Sequence, residues 1–141
     1  MIIPSKSSPS LLQFDVTDQV ATITFDSPSK RNALEPAMRD ELAAALNHIQ
    51  QDKSIRAVVL TGAGGHFCSG GDLKNIAAAN LDNGGWLGRM QTLHEWVQVL
   101  LTLDRPVIAA VDGAAAGAGQ LRGQLHTLGL AAGECRGGLE I

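Results

Sequence analysis

Ala57-Val58-Val59-Leu60-Thr61-Gly62-Ala63-Gly64-Gly65-His66-Phe67-Cys68-Ser69-Gly70-Gly71-Asp72-Leu73 passes from an unbroken apolar run into closely spaced glycines. A run without polar alternation suits a strand buried on both faces. Glycine admits positive φ and leaves bare backbone open to a ligand. Asp72 is placed to cap a helix that starts at Leu73. The same order recurs downstream: Val107-Ile108-Ala109-Ala110-Val111 is apolar and Asp112-Gly113-Ala114-Ala115-Ala116-Gly117-Ala118-Gly119 is small and glycine-rich. One such loop reads as a tight turn. Two of them, each after a buried strand, point to a site at strand ends.

Upstream, Leu12, Phe14 and Val16 alternate with polar residues, and Val20, Ile23 and Phe25 lie in a β-branched run. Asp18-Gln19 between them predicts a hairpin. Pro36 suits a first helical turn. Met38, Leu42, Ala45, Leu46 and Ile49 then recur at helical spacing, so 36–50 is an amphipathic helix. Asp82-Asn83-Gly84-Gly85 reads as a loop. Residues 86–103 repeat Met90, Leu93, Val97, Leu100 and Leu101 at helical spacing, and Pro106 stops that helix. The sum is an α/β chain. Residues 1–10, rich in Ser and Pro, are a flexible leader.

A length of 141 residues allows one domain. Hydrophobic residues at 45% against 18% charged set it among globular rather than disordered chains. The net charge of −3 without a basic block argues against nucleic acid and anionic membranes as partners. No apolar run approaches the ~20 residues that span a bilayer, and the first residues lack a signal-peptide pattern. Cys68 and Cys135 make neither a disulfide framework nor a metal cluster. The expectation is a cytoplasmic protein with no metal. Cys68 reads as a small filler, His48, His66, His94 and His126 as surface or helix residues, and Trp86 and Trp96 as packing residues.

Three motifs compete for the glycine-rich loops. A P-loop needs Gly-Lys-Ser/Thr after the glycines, and neither loop has it. A Rossmann fingerprint needs a third glycine, but Phe67 and Arg122 stand where it belongs. The third motif extends over more of the chain. Arg56 to Gly62 followed by His66-Phe67-Cys68-Ser69-Gly70-Gly71-Asp72-Leu73 resembles the first oxyanion-hole segment of the crotonase (enoyl-CoA hydratase/isomerase) family. Arg105 to Gly119 resembles its second, and Ser29-Lys30-Arg31-Asn32-Ala33-Leu34 resembles its early CoA-contacting segment. The resemblance runs from about residue 12 to about residue 119.

That resemblance implies a crotonase-like ββα superhelical core over 11–119 and an acyl-CoA thioester as substrate. CoA is then part of the substrate, and no separate cofactor is needed. It implies two backbone N–H donors to a thioester oxyanion, at Gly71 and Ala118. Fixed donors aimed at developing charge need no reorganisation, and one is worth roughly 2.7–4 kcal/mol. It also implies contacts to CoA around Ala33, Ser69, Gly70, Asp72 and Leu73, with Lys30 and Arg31 near phosphates or simply solvated. Family members assemble as homotrimers or hexamers through a C-terminal region that the resemblance finds missing here.

Past Gly119 the pattern changes. The first hydratase glutamate would fall on Leu121 and the second on Ile141; Glu140 is adjacent but in unmatched sequence. Leucine transfers no proton. Residues 120–141 hold several glycines and no valine, a poor continuation of an α/β core, although Leu121, Leu125 and Leu128 would line a short helix. A truncation, or a reading-frame change near codon 120, accounts for a divergent tail behind intact loops. Three readings follow: an acyl-CoA enzyme, a non-catalytic remnant with weak CoA binding, and a Rossmann-like nucleotide binder.

Overall fold

The computed structural model describes residues 10–69, 98–100 and 102–111, together with residues 82, 84, 85, 87, 88, 91, 114, 115, 130 and 131. The chain opens on the expected hairpin, β1 (Leu12–Thr17) and β2 (Val20–Phe25), paired antiparallel with Thr17 opposite Val20. Its two-residue turn puts Asp18 at φ 51° and Gln19 at φ 68°. Two left-handed residues match the twist of the flanking strands.

Helix α1 (Pro36–Gln51) follows, with Pro36 at its start. Its buried residues are Met38, Leu42, Ala45, Leu46 and Ile49, the periodic set seen in the sequence. They join Ile23, Phe25, Val58, Leu60 and Val111 in one hydrophobic core. Burying each large aliphatic side chain contributes about 1.5–3 kcal/mol. That packing, rather than helix propensity, is what holds α1 on the sheet.

α1 also allows the next strand to run parallel, since a parallel neighbour needs a crossover. β3 (Ala57–Gly62) pairs parallel with β2, and β5 (Val107–Val111) pairs parallel with β3. β7 (Leu130–Ala131) adds to β5, with Ala110 opposite Leu130, so the sheet order is β1-β2-β3-β5-β7. Arg105, near the start of β5, donates to the Ile49 carbonyl in the last turn of α1. A cation at that end satisfies a carbonyl that the helix cannot.

The expectations need four corrections. Val58 and Leu60 are buried but Ala57 and Val59 only half-buried, and in β5 Val107, Ala109 and Val111 are buried but Ile108 and Ala110 only half-buried, so both strands are fully covered on one face rather than two. Gly84 and Gly85 are helical rather than loop, because the Asp82 carboxylate accepts from the Gly85 N–H at 2.8 Å and starts the turn. His66–Cys68 is a strand, β4, inside what reads as a continuous loop. In the tail, Leu130 and Ala131 extend the sheet instead of breaking from it, taking up the hydrogen-bonding edge of β5. Among the described residues no helix is long and apolar enough to cross a membrane.

Candidate functional site

The early loop is built from tight local turns. Pro28–Lys30 form one turn of 3₁₀ helix, and Arg31 and Asn32 then adopt left-handed backbone at φ 52° and 54°. Lys30 N–H and Asn32 N–H both donate to the Ser27 carbonyl at 3.0 Å, and Ala33 N–H donates to the Lys30 carbonyl at 3.1 Å. The chain is thereby turned back on itself before α1. Ala33 is buried and Arg31 exposed. The Lys30 ammonium is half-exposed and paired with Glu35 at 2.6 Å. Its charge is therefore already shared with a carboxylate.

Asn32 has a fully buried side chain. Its Oδ1 accepts from Ser27 N–H at 2.8 Å, while Nδ2 donates to the Ala63 carbonyl at 3.0 Å and the His66 carbonyl at 2.9 Å. One amide thus joins the early loop to the first glycine-rich turn. Beyond that turn Ser69 N–H donates to the Arg31 carbonyl at 3.1 Å, and Ser69 Oγ lies 3.4 Å from the Lys30 carbonyl. Four predicted contact residues, Lys30, Arg31, Ala33 and Ser69, are brought together in this way.

The turn itself joins strand to strand. Gly62-Ala63-Gly64 runs from β3 into β4, not into a helix as a dinucleotide fingerprint requires. A Cβ at Gly62 would lie 2.1 Å from the His66 carbonyl oxygen, so this approach admits only glycine. Phe67 of β4 then meets Phe25 of β2 edge to face, at 5.7 Å between ring centroids.

β4 has a second partner. It pairs parallel with β6 (Ala114–Ala115), His66 opposite Ala114 and Cys68 opposite Ala115. The two glycine-rich segments therefore lie side by side as they leave their strands. Gly71 comes three residues after Cys68 in sequence, and Ala118 three after Ala115. Gly70, Gly71, Asp72, Leu73 and Ala118 lie outside the described residues, as do His94, His126, Trp86, Trp96, Leu121 and Cys135.

Cys68 is buried, as a filler would be. His48 lies on α1, edge-on to Phe14. His66, expected at the surface, is half-buried, and its Nδ1 is buried with no hydrogen-bond partner. Its backbone belongs to β4 and pairs with β6 instead of running in an open loop. The sequence reading also passed over Asn32 as a functional residue. The available signal was an amide side chain, tolerant of left-handed backbone, among loop charges. Among the described residues no group of three or more His, Cys, Asp or Glu stands close enough to hold a metal.

The chain matches the family described as Enoyl-CoA hydratase/isomerase over residues 15–127, which continues past residue 119 into the segment read as divergent. It is 43% identical over 108 residues to a probable enoyl-CoA hydratase of Rhodobacter capsulatus, covering 77% of this chain and 40% of that protein. It is 37% identical over 105 residues to the 1,2-epoxyphenylacetyl-CoA isomerase of Escherichia coli, covering 71% and 39%. The chain thus spans about two-fifths of the length of these relatives. The solved structure of an enoyl-CoA hydratase/isomerase from Xanthobacter autotrophicus Py2 superposes with a TM-score of 0.85 at 28% identity, over 93% of this chain and 49% of that one. Half of a crotonase fold is present in this chain, and with the family match over most of its length it belongs to the enoyl-CoA hydratase/isomerase (crotonase) family.

Proposed function

We propose that this chain carries the acyl-CoA-binding part of a crotonase-family site, with thioester enolate stabilised by the Gly71 and Ala118 N–H groups. The observation that supports this most is the β4–β6 pairing of Cys68 with Ala115. It starts the two donor-bearing segments from neighbouring backbone, which two convergent amides require. Donors on backbone are fixed before the ligand arrives, so charge developing on the thioester oxygen meets dipoles already oriented. The early loop borders the same region through Ser69 and Arg31. There Arg31, and Lys30 once it exchanges Glu35 for a phosphate, serve the CoA end of the ligand.

The same reading separates binding from hydration. Leu121 stands where the first hydratase glutamate belongs, and a hydrocarbon side chain neither gives nor takes a proton. The chain therefore binds acyl-CoA and polarises its carbonyl without hydrating a double bond. Titration with acetyl-CoA and with NAD by calorimetry tests the ligand class, with heat expected from acetyl-CoA alone. A crotonyl-CoA assay tests the second half. NAD binding would sink the first part, and measurable hydration by the chain would sink the second.

A further inference from the structure

We infer that Asn32 is the positioning residue of this site, holding the first glycine-rich turn against the Lys30–Ala33 loop so that the segment after Ser69 starts from a fixed place. The inference rests on the acyl-CoA reading for its ligand but on geometry for its substance. Asn32 is fully buried, and three of its four amide hydrogen-bonding positions are used, on Ser27, Ala63 and His66. Ala63 and His66 lie 31 and 34 residues further along the chain, so these are tertiary links rather than loop-closing ones. They hold both ends of the turn, Ala63 before Gly64-Gly65 and His66 after it.

No other side chain of this length supplies the same pattern. Aspartate keeps the acceptor for Ser27 N–H but turns a carboxylate oxygen toward two carbonyls. Leucine takes the partner from the buried Ser27 N–H and from two part-buried carbonyls, with a desolvation cost that is largest at Ser27. Glycine keeps the left-handed backbone at φ 54° and removes only the amide. The site follows from the turn because His66 also lies opposite Ala114 across the β4–β6 pair, and Ser69 contacts the loop on its other side. Loosening the turn shifts β4 relative to both.

The test has three readouts on the intact chain. In the unaltered protein the Asn32 side-chain amide protons are expected to exchange slowly and to show nuclear Overhauser contacts to Ala63 and His66. Their absence overturns the inference without any variant. In Asn32→Gly the Ser69 N–H is expected to exchange at least about tenfold faster while N–H groups in α1 and β2 keep their protection. Unchanged Ser69 protection overturns it, since the residue is then present for its backbone angle alone. Acetyl-CoA affinity of Asn32→Gly and Asn32→Asp is expected to fall about tenfold or more. Affinity that stays level while Ser69 loosens overturns the link from turn to site. If the unaltered chain binds no acetyl-CoA, the ligand reading fails by itself, and the first two readouts still decide whether Asn32 holds the turn.

Discussion

Gly64 stands directly against Pro28: a Cβ at residue 64 would come 2.4 Å from the Pro28 Cβ. The neighbouring Gly65 has nothing within 4 Å of the same added atom, although both residues have positive φ, 74° and 78°. The pair separates backbone strain from steric exclusion. Gly65→Ala is expected to cost about 1–2 kcal/mol from left-handed backbone alone. Gly64→Ala carries that cost plus a displacement of the exposed Pro28, and should lose about 1–3 kcal/mol more, at most the scale of core overpacking. Denaturant melts of the two variants check this. Equal losses would show that Pro28 gives way freely.

Arg105 and Ile49 supply the second prediction. The guanidinium is nearly sealed from solvent and donates to a carbonyl that α1 cannot satisfy. Arg105→Met keeps much of the packing and leaves the Ile49 carbonyl bare, for an expected loss of about 1–3 kcal/mol. Arg105→Lys should recover part of the loss, because only one guanidinium N–H meets that carbonyl and the second terminal nitrogen, Nη2, is buried without a partner. Thermal melts of both variants decide it, and full recovery by lysine would assign the effect to charge alone.

At the end of α1 the Asp52 carboxyl is held below its ordinary value of 3.8, first by the Ser54 hydroxyl and then by the Ser54 N–H. The charged form is the one favoured by folding. Its contribution is present above the unfolded value and disappears as pH falls through the lowered folded value. Ser54→Ala removes the larger cause and keeps the N–H, so the Asp52 titration should move part of the way back up. Carboxyl-carbon NMR between pH 2 and pH 6, a window of roughly two units either side of an ordinary carboxyl, measures it. An unmoved midpoint would take Ser54 out of the explanation.

The proposed oxyanion donors give the fourth prediction. Proline has no N–H, so Gly71→Pro in a chain extended to the length of its relatives and carrying Leu121→Glu should lower crotonyl-CoA hydration about a hundredfold or more. The affected parameter should be kcat rather than KM, because the donor acts on charge that develops late. A folded variant with unchanged kcat would remove Gly71 from the site.

Elements with many repeated contacts were open to reading from the sequence. The hairpin was visible in Asp18-Gln19 between alternating runs, and α1 in the spacing of Met38, Leu42, Ala45, Leu46 and Ile49. β3 and β5 were visible as apolar runs, though their half-covered faces were not, since Val, Ile and Ala suit either state. β4 and β6 were hidden because three and two residues show no period. They exist through pairing with each other. Lys30, Arg31, Ala33 and Ser69 were named from motif resemblance, and their meeting was not deducible from spacing. Asn32 escaped notice because its importance lies in which carbonyls reach it, Ala63 and His66, both distant along the chain.

The pairing of Cys68 with Ala115 bears on the order of assembly. β1 and β2 join across two residues, and β2, α1 and β3 form from one continuous stretch. β4 and β6 meet only after all of the intervening chain has been closed into a loop, an entropic cost set against a pairing of very few residues. Loop closure of that length is expected to make this pair a late one, after the contacts between neighbours in sequence. In a nascent chain β1, β2, α1 and β3 would be present while the candidate site is still open, and the site would gain its shape only once the chain had been made past Ala118.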